Sequence, residues 1–144
     1  MNTWILVADA SRARVFRAES PTGGLIEIED FTHPEARSHD QELTSDLPGR
    51  AFDSMGANRH AMEQQTEPKK EEALVFAREL GARLEAACES GDYDKLYVIA
   101  APAFLGMLRD ALGKGTRGVV AQELDKDLTW QTAEEVRGHL PSHL

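Results

Sequence analysis

Two short runs of uninterrupted hydrophobic residues, Trp4–Ala8 and Leu96–Ala100, place the strongest constraint on the fold. Each run is too short for an ordinary helix, and the lack of any charged residue is typical of a strand that is covered on both faces. Such strands require helices on each side of the sheet that contains them. We therefore predict an α/β protein built around these two strands.

Two further strands are predicted near the N-terminus. Ala13–Ala18 and Leu25–Glu29 are short segments of strand-like composition, and Ser20–Gly24 between them is dense in turn-forming residues. Together with Trp4–Ala8, they predict a three-stranded antiparallel meander that ends near residue 31.

The first helix is predicted to begin where Thr66 can cap it and Pro68 can occupy its first turn. Gly91 is a typical helix end. Between these positions, hydrophobic residues recur every three or four places, as one face of a helix requires. They are Ala73, Ala77, Leu80, Leu84 and Ala87.

The rest of the chain alternates between helix and strand. A second helix is predicted from Pro102 to Gly113, a last strand over Val119–Leu124, and a final helix behind the capping box Thr132–Glu135. The meander is thus followed by the order αβαβα, which indicates a mixed sheet of the ribonuclease H-like kind.

Residues 32–67 show neither the helix period nor the strand period. Turn formers, histidines and mixed charges dominate this segment, so the sequence predicts one domain over residues 1–144 with a long loop at 32–67. A connection of this length inside a compact domain is usually functional or disordered, or it indicates that an element has been assigned wrongly.

Charge and cysteine content exclude several classes of protein. The formal net charge is −9, which opposes tight sequence-independent binding to a polyanion unless basic residues cluster locally. Cys88 is the only cysteine, so neither an intrachain disulfide nor a cysteine-rich zinc site is available.

No hydrophobic run is long enough to cross a bilayer, and Met1–Thr3 lacks the basic region of a secretory signal. We expect no membrane insertion and a cytoplasmic location.

Basic residues suggest a binding surface. Arg12 and Arg14 are two positions apart, so on a strand they share one face and can bind consecutive phosphates. Other basic residues lie in the predicted loop and after the last strand, and their side chains suit RNA, a phosphorylated ligand or an acidic protein. Alternatively, these residues protect an edge strand or tie the loop to its own domain. The predicted binding residues are Arg12, Arg14, Arg50, Arg59, His60 and Lys126.

Carboxylates near strand ends offer a catalytic alternative. Asp9 follows the first strand, and Asp125 and Asp127 follow the last. Residues in such places bind Mg²⁺ in metal-dependent nucleases and phosphoesterases. However, the acidic residues show no diagnostic spacing, and Asp9 before Ser11 and Arg12 is typical of a turn. The sequence therefore favours a non-catalytic protein, with no cofactor and no metal, over an enzyme.

Two other features receive structural interpretations. Gly113–Gly118 is rich in glycine, but it follows a helix and precedes a strand, the reverse of a phosphate-binding loop, so we predict a helix end and a loop. Trp130 is expected to be a core or lid residue.

Five stretches spread over the chain resemble the bacterial host-attachment protein family, whose members are described as required for attachment to host cells. They are residues 8–14, 45–54, 58–63, 93–112 and 126–129. That family is similar in turn to the middle domain of archaeal and eukaryotic peptide-release factors and of Pelota-type ribosome-rescue factors. The resemblance implies a ribonuclease H-like fold and an association with ribosomes or structured RNA. It does not imply release activity, because Gly23 and Gly24 are followed by Leu25 rather than by glutamine.

Three functions follow from these observations. The first is a non-catalytic module that binds RNA or the ribosome, the second is a metal-dependent nuclease or phosphoesterase that uses Asp9, and the third is a protein-interaction factor in an adhesion pathway. Exposed strand edges permit a dimer, but nothing in the sequence requires one.

Overall fold

The computed structural model describes residues 2–33 and 55–144 of the chain, with side chains described for 2–33 and 70–144. The strands are β1 (Thr3–Ala8), β2 (Arg12–Ala18), β3 (Leu25–Thr32), β4 (Lys95–Ala100) and β5 (Val120–Leu124). The helices of the described residues are α1 (Met55–Glu89), α2 (Pro102–Ala111), α3 (Lys114–Val119) and α4 (Ala133–Gly138).

The five strands form one mixed sheet in the order β3-β2-β1-β4-β5. β1 pairs with β2 and β2 with β3 in antiparallel register, which confirms the predicted meander. β1 also pairs with β4, and β4 with β5, in parallel register. The prediction of a mixed sheet in an αβ chain is therefore confirmed.

The two hydrophobic runs lie side by side at the centre of this sheet, and their residues alternate between two hydrophobic clusters. In β1, Trp4 and Leu6 belong to the cluster on one face, whereas Ile5 and Val7 belong to the cluster on the other. β4 alternates in the same way. Burial of each large hydrophobic side chain contributes roughly 1.5–3 kcal/mol, and β1 and β4 supply more buried hydrophobic residues than any other strand of the sheet.

Helices cover both faces, as the two runs require. α1 and α2 supply residues to the first cluster, and α4 with the chain after it supplies residues to the second. The five periodic positions predicted for α1 are all buried, with 4% exposure or less. The capping box of α4 is also confirmed: Thr132 Oγ1 accepts from the backbone N–H of Glu135 at 3.1 Å, and Glu135 Oε1 accepts from that of Thr132 at 2.8 Å.

α1 begins at Met55, well before the predicted start at Thr66. Residues 55–67 of the predicted loop are therefore helical, and Pro68 lies inside the helix rather than in its first turn. Met, Ala, Glu and Gln are common in this first part of the helix and have high helix propensity, but they form no regular hydrophobic face. Helical periodicity therefore does not reveal this part of the helix. Residues 34–54 of the predicted loop lie outside the described residues.

The glycine-rich segment Gly113–Gly118 was also predicted wrongly, because most of it forms the short helix α3. β5 follows α3 directly and begins at Val120. Within the described ranges, no helix combines the length and the hydrophobicity that crossing a lipid bilayer requires.

Gly81 permits the close approach of α1 and α2. A Cβ at this position would lie 2.4 Å from the carbonyl oxygen of Ala111, a backbone atom that cannot rotate away. We expect Gly81→Ala to lower the free energy of unfolding by about 1–3 kcal/mol in urea denaturation.

Gly106, inside α2, provides the matched control, because a Cβ there meets nothing within 4 Å. Gly106→Ala should be neutral or should stabilise the protein by about 0.5–1 kcal/mol. Equal effects of the two substitutions would contradict the packing interpretation.

Candidate functional site

Three chain segments leave the sheet at the same edge. Because β1, β4 and β5 run parallel, Asp9, Ala101 and Asp125 all follow the carboxyl ends of neighbouring strands. This edge is where open αβ sheets usually bind their ligands.

Asp9 forms the turn between β1 and β2. Its Oδ1 accepts from the backbone N–H groups of Ser11 and Arg12, both at 2.8 Å, and from the Ser11 hydroxyl at 3.3 Å. Its Oδ2 accepts from the hydroxyl of Thr129 at 3.1 Å. Asp9 therefore fixes a turn and also holds the segment that follows β5.

Thr129 brings Asp9 and Asp127 together. Asp127 Oδ1 lies 2.8 Å from the Thr129 hydroxyl and 3.3 Å from its backbone nitrogen, which donates to it. Thr129 is fully buried, and its single hydroxyl proton can be donated to only one of the two carboxylates at a time.

Asp125 is exposed and lies two positions before Asp127 in sequence. In the described part of the chain, no group of three or more His, Cys, Asp or Glu side chains is arranged to hold a metal ion. Two of the three carboxylates proposed for the nuclease hypothesis thus share a threonine, and the described residues supply no third ligand.

Arg14 points toward the same segment. Its guanidinium donates through Nε and Nη2 to both carboxylate oxygens of Glu27, at 3.2 and 3.0 Å. Nη1 donates to the backbone carbonyls of Thr129 and Gln131, at 3.1 and 2.5 Å. The side chain is only 11% exposed and lies over the ring of Phe16. Arg14 is therefore engaged inside the domain.

Arg12 lies beside the most exposed aromatic residue of the described chain. Its guanidinium carbon is 4.5 Å from the ring centroid of Trp130, a distance at which the cation and the ring attract each other. Arg12 also forms an ion pair with Asp30 at 3.2 Å. Trp130 was expected to be a core or lid residue, and its 68% exposure contradicts the first of these alternatives.

The other predicted binding residues are not joined to this group by any described contact. Lys126 is exposed on the segment after β5. Arg50 lies outside the described residues, and Arg59 and His60 lie in α1 with side chains outside the described set. A single basic surface that unites Arg12 and Arg14 with Arg50 and Arg59 remains a prediction. The two arginines that are described each have a carboxylate partner.

Sequence reasoning missed two residues of the site. Thr129 and Trp130 show no periodicity, and both lie in the irregular segment between β5 and α4. The one available signal was the stretch 126–129, which resembles the host-attachment family and ends at Thr129.

The glycine-rich segment around α3 binds an internal anion. Glu85 Oε1 accepts from the backbone N–H of Thr116 at 3.0 Å and from its hydroxyl at 2.8 Å. A Cβ at Gly113 or Gly115 would collide with this carboxylate, so both glycines leave space for it. The backbone N–H of Thr116 is the main cause that lowers the pKa of Glu85. The segment is glycine-rich like a phosphate-binding loop, but the anion that it holds is the carboxylate of Glu85 from α1.

Tyr93 also contacts the region around Thr116. Its hydroxyl donates to the carbonyl oxygen of Leu84 at 2.8 Å and lies 3.5 Å from the Thr116 hydroxyl. Burial raises the pKa of Tyr93 to about 12, so the hydroxyl remains a donor across the physiological range.

A family model described as "Protein required for attachment to host cells" matches residues 4–140. This range contains Asp9, Arg12, Arg14, Thr129 and Trp130. A comparison with curated proteins gives no match.

We expect the carboxylate of Glu85 to make the stability of the protein depend on pH. Its pKa in the folded chain lies below the ordinary value of 4.5, so its contribution is present above that value and is lost as pH falls through the folded pKa. We expect Glu85→Gln to reduce the loss of unfolding free energy between about pH 6 and about pH 3 in urea titrations.

Glu89→Gln, at the exposed end of the same helix, is the matched control and should keep the wild-type pH slope. Identical slopes for the wild-type chain and Glu85→Gln would exclude the proposed role of the carboxylate.

Proposed function

We propose that this chain, which belongs to the family of proteins required for attachment to host cells, is a non-catalytic module. In this proposal it docks a protein partner through Trp130 and Arg12. We call these two side chains the Trp130 surface.

The observation that carries this proposal is the exposure of Trp130. Leu128 and Thr129, just before it, are 6% and 0% exposed, whereas Trp130 itself is 68% exposed. Tryptophan and arginine are the residue types most enriched among those that dominate the binding energy of protein interfaces. A tryptophan held outside the core beside an arginine therefore favours a docking role.

Charge favours a protein over RNA as the partner. Arg12 and Arg14 are paired with Asp30 and Glu27, and Asp125 and Asp127 lie on the segment that carries Trp130. Binding to a nucleic acid backbone depends on cations that are available to phosphates, and the chain has a net charge of −9.

RNA or a ribosomal surface is the second candidate partner. The indole ring of Trp130 and the guanidinium of Arg12 are planar groups on which bases can stack, and Lys126 is exposed on the adjoining segment. In this alternative, Arg50, Arg59 and His60 supply the remaining contacts to phosphates.

The finer classification of the fold is part of the proposal. We propose that the sheet is ribonuclease H-like and is related to the middle domain of release factors and Pelota-type factors. Support comes from the antiparallel meander β1 to β3, which continues through β1 into two parallel strands.

We also propose a cytoplasmic location. This proposal is supported by the single cysteine of the chain, which permits no intrachain disulfide.

Replacement of Trp130 tests the docking proposal. We expect Trp130→Ala to weaken binding of the partner by roughly 30-fold, as loss of a dominant interface residue does. The unfolding free energy should change little, because the side chain is exposed. In cells that lack the chain, the wild type should restore attachment and Trp130→Ala should not.

The partner is obtained by incubating the immobilised chain with extract of the cells that make it, before and after ribonuclease treatment. The protein that the wild type retains and Trp130→Ala does not retain is then purified. Its affinities for the wild type and for Trp130→Ala are measured by titration. Val75→Ala removes another exposed hydrophobic side chain, 38% exposed on α1, and should bind as the wild type does. Equal affinities for the wild type and Trp130→Ala would exclude the proposal. Binding that disappears with ribonuclease and weakens steeply with salt would identify RNA instead.

A further inference from the structure

A single guanidinium group holds the backbone on both sides of Trp130. Arg14 Nη1 donates to the carbonyl oxygen of Thr129 and to that of Gln131, the two residues that flank Trp130 in sequence. The other nitrogens of the group donate to Glu27 on β3. One planar group therefore ties the meander to the segment that carries the exposed ring.

The same segment is anchored from the opposite side. The Thr129 hydroxyl lies within hydrogen-bond distance of both Asp9 and Asp127, and the backbone N–H of Gln131 donates to the carbonyl of Leu128 at 3.0 Å. These contacts fix the backbone at residues 128–131 and leave the ring of Trp130 outside it.

Arg14 has little opportunity to touch a partner itself. Its side chain is 11% exposed, it bonds a carboxylate and two carbonyls, and it lies 4.8 Å from the ring centroid of Phe16. Any effect of Arg14 on binding must therefore pass through the segment that it holds.

We propose that Arg14 is a positioning residue that presents Trp130 to the protein partner, an inference that rests on the proposed function. Immobilising a side chain and its backbone during binding costs free energy, and a segment that is ordered beforehand avoids part of this cost. Only arginine suits the position, because its rigid fork serves Glu27 and both carbonyls at once. Lysine has one ammonium group at the end of a flexible stem.

The test uses ¹⁹F NMR of the full chain labelled with 5-fluorotryptophan, which gives one signal for Trp4 and one for Trp130. Trp4 is 5% exposed and stacks on Tyr93 at 4.8 Å, so its signal reports whether the core is intact. We expect Arg14→Lys to move the Trp130 signal toward that of the free amino acid and to leave the Trp4 signal in place. Binding of the partner should weaken roughly tenfold.

A double-mutant cycle separates positioning from general destabilisation. If Arg14 acts through Trp130, adding Arg14→Lys to Trp130→Ala should cause no further loss of binding. Arg17→Lys is the matched control, because Arg17 is a half-buried arginine on the same strand, and it should change neither the Trp130 signal nor the affinity. Arg17 lies opposite Trp4 across the β1/β2 pair, so the Trp4 signal is not part of this control.

Two outcomes would overturn the inference: an unchanged Trp130 signal in Arg14→Lys, or equal losses of binding from Arg14→Lys with and without Trp130.

If Arg14→Lys also moves the Trp4 signal, Glu27→Gln is used as a milder variant in place of Arg14→Lys. It should move the Trp130 signal in the same direction, and no movement would again overturn the inference. The NMR readout needs no partner, so it can succeed even if Trp130→Ala shows that the docking proposal is wrong.

Discussion

Burial of both faces of β1 and β4 is the constraint on which the rest of the structure depends. Their residues alternate between two hydrophobic clusters, so the sheet is stable only when helices pack against each side. α1 and α2 satisfy this requirement on one face, and α4 with the chain that follows satisfies it on the other. Because β1, β4 and β5 are parallel, this arrangement also brings the turns after them to one edge, where Asp9 and Thr129 meet.

Several charged residues in the described part of the chain hold segments together. Arg14 joins β2, β3 and the segment after β5, and Arg12 pairs with Asp30 while it lies over Trp130. Glu85 occupies the space that two glycines leave beside α3. In each case, a residue type that suggests an external anion or cation has an internal partner of opposite charge or polarity. Buried or half-buried charges require such partners, because desolvation without compensation is costly.

The candidate site therefore differs from the one that the sequence suggested. A row of arginines on a strand predicted a surface for phosphates, whereas Arg12 and Arg14 contact the segment of an exposed tryptophan that the sequence predicted only as a core or lid residue. Its neighbours are held inside: Leu128 is buried in the second cluster and the Thr129 hydroxyl contacts two carboxylates, whereas the side chain of Trp130 is 68% exposed.

The sequence by itself determined the strands β1 to β5, the helix α2, the amphipathic face of α1 and the capping box of α4, because hydrophobic period and capping chemistry are local properties. It did not determine the start of α1 or the existence of α3. The first part of α1 lacks a hydrophobic face. Thr116 of α3 donates hydrogen bonds to the carboxylate of Glu85, which belongs to α1. Only the tertiary structure decided that Arg14 is engaged internally, that Asp9 and Asp127 share Thr129 and that Trp130 is exposed. Arg14 and Asp9 each contact Thr129 from more than a hundred positions away in sequence, and no local pattern encodes such contacts.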